Sequence, residues 1–417
     1  MKGPRLATLA WRNIWRNRRR TAITLFSIAF GVLLAVLFTG IGDSTYGQMI
    51  DHAAGLGGGH VVAQHPDYDE TPSVKKSLKR ADALRERALA DPDVTRVVPR
   101  VSGAAMLSTS ANSTGAVLLG IDPQAEDKDT LGILEALDAG ELFATADDKG
   151  IILGATLAEN LDVELGKKVV YTVTDKSGEM TSGLARLRGI VRTGSPTVDG
   201  AIAILPMNRL RELLGYDAGE LTQLAIFVDD NRDAAAVRDR LAAGETDGAA
   251  ILTWDEAQPD LAGFIKMKTV STMILEVIIT VLIAAGIFNT LFVSVMERLR
   301  EFGIMAAIGF SSAQLFGLVL WESFWIALCG LLAGVLVTAY PYYYLNQTGL
   351  DFTAMMGGQG ESLDVAGVAM DPVLYVSIYG SHAAVIAAAI FIATMAAGLY
   401  PAWRAGRVAP VETIRIV

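Results

Sequence analysis

Residues 21–42 read TAITLFSIAFGVLLAVLFTGIG, an uncharged run of 22 residues between Arg20 and Asp43. A helix rises about 1.5 Å per residue, so about 20 apolar residues cross a hydrocarbon core about 30 Å thick. Lipid offers the backbone no hydrogen-bond partner, which makes such a run a helix. It is longer than the apolar part of a secretory signal peptide, about 7–15 residues. No A-x-A-like site follows it, so it is read as an anchor that stays in place.

Working outward, three more uncharged runs follow: 20 residues between Glu276 and Glu297, 28 between Glu322 and Asp351, and 32 between Asp371 and Arg404. The chain of 417 residues is 52% hydrophobic and 19% charged, with one cysteine and a net charge of −10, which excludes disorder, collagen-like repeats and a disulfide scaffold. Phe302–Trp321 is also uncharged and would make a fifth span, but the charges decide against it. The first 42 residues hold seven basic side chains and no acid, and beyond residue 268 only Arg298, Arg300, Arg404, Arg407 and Arg415 are basic. The 345–372 segment carries Asp351, Glu361, Asp364 and Asp371 and no Lys or Arg. Four spans put all these basic residues inside and the acidic loop outside. Ser311 and Gln314 have the spacing of a capping box that starts a new helix.

The expected fold class is an α-helical membrane protein with four transmembrane helices and a large α+β extracytoplasmic domain inserted between helices 1 and 2. Its parts are an interfacial amphipathic helix at 1–20, spans at 21–42, 269–296, 314–344 and 373–400, and the outer domain at 43–268. A cytoplasmic loop at 297–313, an outer loop at 345–372 and a cytoplasmic tail at 401–417 complete it. On the first helix Arg5, Arg12, Arg16 and Arg19 share one face, with Trp11 and Trp15 at headgroup depth. The outer domain holds 36 acids and 23 bases, so it lacks the basic footprint of a nucleic-acid binder. Its strands are expected at His60–Gln64, Ala116–Ile121, Lys168–Thr174, Leu184–Arg192, Ala201–Leu205 and Leu224–Asp229. Helices are expected at Leu78–Leu89, Met207–Leu214 and Asp233–Leu241.

The loop after the second span reads MERLREFGIMAAIG at 296–309. As a helix it places Glu297, Arg298, Arg300 and Glu301 on one arc, with Leu299, Phe302 and Ala306 opposite, and Gly309 ends it. Such a helix either docks another protein or is a solvated connector. The loop, together with YPAWRAGRVAPVE at 400–412, GIDP at 120–123, IILGATLA at 151–158 and VDG at 198–200, resembles the FtsX/MacB superfamily of ABC transporter permeases, most of all the lipoprotein-releasing (Lol) permeases. The likeness covers the whole chain, with the spans in the family's order.

The resemblance implies a non-catalytic subunit of the bacterial inner membrane, with both termini cytoplasmic and the large domain periplasmic. Two permeases, identical or related, would pair and engage two ATPase subunits through the loop, the coupling residues being Glu297, Arg298, Arg300, Glu301, Gly303, Met305 and Gly309. The outer domain would divide in two, with an inserted part near 125–198. ATP and Mg would sit on the partner, since no G-x-x-x-x-G-K-[ST] occurs here and Gly166-Lys167-Lys168 lacks the preceding glycine and the hydroxyl. Met356-Gly357-Gly358-Gln359 mimics an ABC signature, but in an outside loop.

A lipoprotein substrate needs an apolar cavity, for which Phe38, Ile41, Met49, Phe264, Met267 and Ile274 at the outer ends of the first two spans are candidates; facing lipid or packing helices is the alternative for each. Family members that recruit a soluble periplasmic carrier use a protruding hairpin. The corresponding turn, Thr174–Met180, is short and polar, so recruitment falls to a partner permease or the substrate differs.

The spacing of His60, His65, Asp67 and Asp69 matches no standard metal site, and no metal or cofactor is expected on this chain. Glu276 and Glu322 are expected at headgroup level and His382 at the outer interface or a helix contact. Gly330 and Gly334 form a G-x-x-x-G, and Cys329 has no partner. Release of lipoproteins, driven by the ATPase and directed towards the outer membrane, is the expected function. The alternatives are the permease of a MacB-like tripartite efflux or secretion pump and an FtsX-like regulator of a cell-wall hydrolase.

Overall fold

The computed structural model describes residues 3–69, 71–127, 130–351, 363–365, 368–370 and 373–408. The Met356–Gln359 sequence, Glu361 and the end of the 400–412 motif lie outside them. The first part of the chain forms α1 (Gly3–Ile14), α2 (Arg18–Leu56), β1 (Val61–Gln64), α3 (Asp82–Leu89), β2 (Val94–Ser108), β3 (Ser113–Ile121), β4 (Leu137–Gly140), β5 (Gly150–Gly154) and α4 (Ala155–Asn160). Next come β6 (Lys168–Thr174), β7 (Met180–Val191), α5 (Pro196–Asp199), β8 (Ile202–Pro206), α6 (Met207–Leu214), β9 (Gln223–Val228), α7 (Ala234–Ala242), β10 (Ala250–Thr253) and α8 (Trp254–Ala257). The rest is α9 (Pro259–Glu297), α10 (Leu299–Ala307), α11 (Ser312–Thr348), the short strands β11 (Leu350–Asp351), β12 (Leu363–Val365), β13 (Val368–Met370) and β14 (Val373–Leu374), and α12 (Gly380–Gly406).

The chain splits into two units. One takes the residues up to Thr45, Met267–Asp351 and those from Val373 on; the other takes Tyr46–Lys266 and the 352–372 segment.

Among the described residues four helices, α2, α9, α11 and α12, are long and apolar enough to cross a membrane. Two of them, α2 and α9, have 39 residues each; at about 1.5 Å per residue each is nearly twice as long as a hydrocarbon core is thick. Within the first unit, Ile28 and Val32 of α2 pack with Ile287 and Leu291 of α9, Ile326 of α11 and Ile386 and Ile390 of α12. The G-x-x-x-G of α11 is filled by α2: a Cβ on Gly330 would lie 2.6 Å from Ile28, and one on Gly334 2.7 Å from Val32. Small residues permit this close approach, and dispersion rewards it. Helix α9 is the least covered, with only 6% of its membrane-crossing stretch buried against 39% for α2, 44% for α11 and 28% for α12.

The second unit is an α+β domain around one sheet, ordered β10-β1-β9-β2-β3-β8-β5-β7-β4, with β6 pairing β2 and β7. Its strands run mostly antiparallel, while β3–β8 and β5–β7 are parallel. The strands of 125–198 join this sheet through β6 to β2 and β5 to β8. Leu118, Ile151, Leu153, Leu205, Leu224 and Ile226 lie in its core.

Helix α6 and strand β6 have the bounds expected from the sequence. Helix α3 starts four residues later than expected, because Leu78 is drawn into a bridge with Leu221. The 15-residue β2 was not expected. Its first half, Val94–Arg100, pairs with β9, and its second half, Val101–Ser108, with β3. Pro99 falls in the half with a strand on one side, where a proline is tolerated. Arg100 is fully buried beside Glu126, its Nε donating at 2.9 Å and its Nη2 also reaching the Thr130 carbonyl at 2.6 Å. Pairing with a carboxylate and hydrogen bonds from all three of its nitrogens let a guanidinium persist in such a core.

Candidate functional site

The end of the membrane unit that holds α10 is built around Phe302. Helix α9 stops at Glu297, Arg298 breaks the helical geometry, and α10 begins at Leu299. The Phe302 ring is completely buried with Ala10 of α1, Leu315, Leu318 and Val319 of α11, and Ala402 and Ala405 of α12. The Arg298 guanidinium lies over it, 5.2 Å from the ring centroid. Gly309 turns the chain at φ +104°, a value that favours glycine. The capping box then forms as expected, Ser311 accepting from the Gln314 N–H and Gln314 closing back on Ser311.

Three charges on this loop, those of Glu297, Arg298 and Glu301, are tied to the protein itself. Arg298 Nη1 donates to both oxygens of Glu322 at 3.1 and 3.2 Å, and its Nε donates to Glu301 at 3.1 Å. Asn13 Nδ2 donates to Glu322 at 2.9 Å. Arg16 pairs with Glu301, and Arg20 reaches Glu297 at 2.9 Å and Ser294 at 2.6 Å. The hydrogen bond from Arg16, helped by Arg298, holds the Glu301 carboxyl below the usual carboxylate range.

Glu322 is covered by protein as well as paired. It is only 5% exposed and closes a chain of five side chains, Asn13–Glu322–Arg298–Glu301–Arg16, that ties α1 and α10 to α11. Trp325 fastens the same corner, donating to the Ala7 carbonyl at 3.1 Å and meeting Trp11 edge-on at 5.1 Å.

Of the seven coupling candidates, Gly303 is buried and Met305 is half-buried against the Phe302 cluster. Arg298 and Glu301 are partly covered and paired, Glu297 is exposed but paired, and Arg300 and Gly309 face outward. The outward face is completed by Ile304 at 48% and Ile308 at 72% exposure. Arg300, Ile304 and Ile308 follow one another at intervals of four, on one helix stripe. Both isoleucines are missing from the sequence-based set. The signal that locates them is the face opposite Phe302, visible once Phe302 is taken as the inward residue.

At the other end of the membrane unit, Asp43 of α2 is 9% exposed, pairs with His382 Nδ1 of α12 at 2.9 Å and accepts from the Tyr379 N–H at 3.1 Å. His382 is thus a helix contact. Glu276 of α9 accepts from the Thr39 hydroxyl of α2. Among the cavity candidates Phe38, Met267 and Ile274 are exposed and Ile41 is half-buried. Met49 is 2% exposed and packs with Leu261 in the outer unit, so it does not offer the open apolar surface expected of it, while Phe264, which packs on the same cluster, is half-buried like Ile41.

In the outer unit the β6–β7 turn is pinned. Asp175 Oδ1 accepts from the N–H groups of Ser177 and Glu179, at 2.8 and 2.9 Å. The Lys176 N–H donates to the Leu214 carbonyl at 3.0 Å, and its ammonium reaches Glu220 at 3.0 Å. The turn lies on the domain and does not project from it. Both ring nitrogens of His60 are engaged, Nε2 with Asp51 at 3.0 Å and Nδ1 with the Val228 N–H at 3.2 Å.

Residues 21–243 match the family described as MacB-like periplasmic core domain, and residues 273–410 match FtsX-like permease C-terminal. The lipoprotein-releasing system transmembrane protein LolC of Neisseria meningitidis is 26% identical over 95% of this chain and 94% of its own length. The LolE protein of the same system in Haemophilus influenzae is 20% identical over 85% of each chain. The macrolide export ATP-binding/permease protein MacB of Nitrobacter winogradskyi is 24% identical over 95% of this chain and 58% of its own length. Among solved structures, the periplasmic region of MacB from Actinobacillus actinomycetemcomitans has a TM-score of 0.34 at 16% identity, over 50% of this chain and 94% of that one.

Proposed function

Because the chain belongs to the FtsX/MacB family of ABC transporter permeases, we propose that it is the membrane subunit through which a separate ATPase drives release of lipoproteins from the bacterial inner membrane towards the outer membrane. The observation that carries this reading is the match to LolC along nearly the full length of both chains. ATP and Mg belong to the ATPase, and the termini and the 297–313 loop lie on its side of the membrane. The outward stripe Arg300–Ile304–Ile308 is its docking face, because an exposed apolar pair on a helix set firmly by Phe302 presents a rigid knob to a groove.

The work required is large. Moving an acyl chain into water costs about 0.8 kcal/mol per CH₂, so the chains must pass into apolar surroundings. Phe38, Ile41, Met267 and Ile274 are the residues offered for that step. Because the β6–β7 turn is held against its domain, a soluble carrier would be recruited by the partner permease.

The test is copurification of the full-length protein with its ATPase from membranes, followed by mass spectrometry. Lipid-modified protein in the complex, together with ATPase activity that responds to added lipoprotein, is the expected result. A complex free of lipid-modified protein and indifferent to it rejects this substrate. The MacB-type reading, supported by a relative matched over 95% of this chain, then takes its place, with stimulation by a peptide or drug as its mark.

A further inference from the structure

Residues 16–20 read RNRRR, four arginines in five positions at the elbow between α1 and α2. The fold sorts them into two sets. Arg16 and Arg20, four apart, turn inward and pair with Glu301 and Glu297. Arg18 and Arg19 are exposed and have no partner among the described residues, and neither has the exposed Arg12 on α1. The acids at this end, among the described residues, are Glu297, Glu301 and Glu322, and Arg20, Arg16 and Arg298 already hold them. The elbow is tied in place, with the Thr21 hydroxyl donating to the Ile14 carbonyl at 2.6 Å and the Thr21 N–H to that of Asn17 at 3.1 Å. Like charges this close repel, so the outward cations call for an anion that the described residues do not supply.

The residues below Arg19 say which anion. Arg19, Ile23, Phe26 and Phe30 follow at intervals of four, three and four on one stripe of α2, and all are exposed. Ile28 and Val32, on the other side of the helix, carry the packing of the unit. The Phe26 and Phe30 rings stack, 6.1 Å apart and 11° from parallel. Arg19 and Phe30 are eleven residues apart, about 16 Å along the helix and about the depth of one leaflet. A soluble anion has no use for an apolar stripe beneath the cations. A phospholipid uses both, with its phosphate beside the guanidiniums and a chain along the rings. The exposed Trp15, just before the elbow, suits the same headgroup level.

We propose that the elbow binds one anionic phospholipid of the leaflet at the α10 end, a phosphatidylglycerol-like molecule with its phosphate on Arg18 and Arg19 and one acyl chain along Ile23, Phe26 and Phe30. The planar guanidinium fork matches a phosphate. The bound phosphate offsets repulsion among the four arginines, and so favours the inward pairs of Arg16 and Arg20 that tie the elbow to α9 and α10. The site is independent of what the protein transports.

The experiment is native mass spectrometry of the full-length protein in detergent, titrated with dipalmitoyl phosphatidylglycerol or with phosphatidylcholine of the same chains. The parent is expected to bind phosphatidylglycerol more tightly. An arginine near an anionic headgroup is worth about fivefold, so Arg18→Gln with Arg19→Gln should weaken that binding by about twenty-fivefold and leave phosphatidylcholine unchanged. Arg18→Lys with Arg19→Lys should keep most of it, and Arg404→Gln, at an exposed cation of the same unit, should bind as the parent does. Parent and glutamine variant should unfold at the same midpoint in phosphatidylcholine, and only the parent's should rise with phosphatidylglycerol. Equal affinity of the parent for the two lipids overturns the proposal without any variant. An equal loss with Arg404→Gln reduces the effect to general surface charge and overturns the site. Displacement of the lipid by millimolar inorganic phosphate or glycerol phosphate makes it a site for soluble anions and overturns the lipid.

Discussion

Truncation of the outward stripe on α10 gives the most direct measure of coupling. Ile308 is 72% exposed and Ile304 48%, so docking has that much apolar surface to cover. Ile→Ala removes three carbons, and at about 0.8 kcal/mol per buried carbon full cover would be worth about 2.4 kcal/mol. Scaled by exposure, Ile308→Ala should weaken ATPase binding by about 1.7 kcal/mol and Ile304→Ala by about 1.2 kcal/mol. The double variant should lose about a hundredfold in affinity. The assay is titration of the fluorescently labelled ATPase subunit against permease held in lipid nanodiscs. Both side chains lie outside the Phe302 cluster, so the permease itself should remain monodisperse and as heat-stable as the parent. Binding within twofold of the parent for the double variant would refute the assignment of this stripe to docking, and a loss confined to Glu297 or Arg300 variants would move the interface to the charged edge.

Three further outcomes are expected. Glu322→Gln removes one partner of the covered Arg298 ion pair and should cost about 2 kcal/mol, seen as a lower unfolding midpoint in detergent; an unchanged midpoint would mean the five-residue chain is ornamental. Gly334→Val drives a side chain into Val32 and should cost about 1–3 kcal/mol by overpacking, whereas Gly317→Ala, where nothing is near, should be tolerated, as thermal denaturation would reveal. Burial pushes the Glu220 carboxyl up, but the Ser77 hydroxyl, the Asp217 N–H and the Lys176 ammonium outweigh it and hold it below its ordinary 4.5. A carboxyl depressed on folding stabilises above its ordinary value and loses that contribution as pH falls through the folded one. Exchange protection of the 175–179 turn, corrected for intrinsic rates, should therefore be flat from pH of about 7 to 5 and fall below about 4.5; a loss beginning near neutrality would contradict this.

The parts of this protein that were legible in its sequence are those set by short-range rules. Ser311 and Gln314 cap α11 because a hydroxyl and an amide three residues apart satisfy each other's helix end. Met207–Leu214 and Lys168–Thr174 follow their periods of 3.6 and 2. What escaped depends on partners far along the chain. Strand β2 was hidden because Arg96, Pro99 and Arg100 look like a turn until Glu126 and the Thr130 carbonyl are supplied to the guanidinium. The partners of Glu322 are hidden in the same way, because nothing local announces Asn13 or Arg298. At the candidate site the charged arc is split, Arg298 and Glu301 being partly covered and Glu297 and Arg300 exposed, and the exposed Ile304 and Ile308 look in the sequence like ordinary apolar residues. Met49 failed for the same reason: an apolar side chain near a helix end gives no hint of whether another will cover it.

The strand that the sequence hid also has a mechanical meaning. One half of β2 is hydrogen-bonded to β9 and the other half to β3 and β6. Tension along it is borne by covalent main chain and by rungs lying crosswise, which must give way together. At the margins of the sheet, β10 and β4 have four residues each and can be peeled a rung at a time. A pull along the middle of the sheet should therefore be transmitted with little stretch, while yielding begins at its rims.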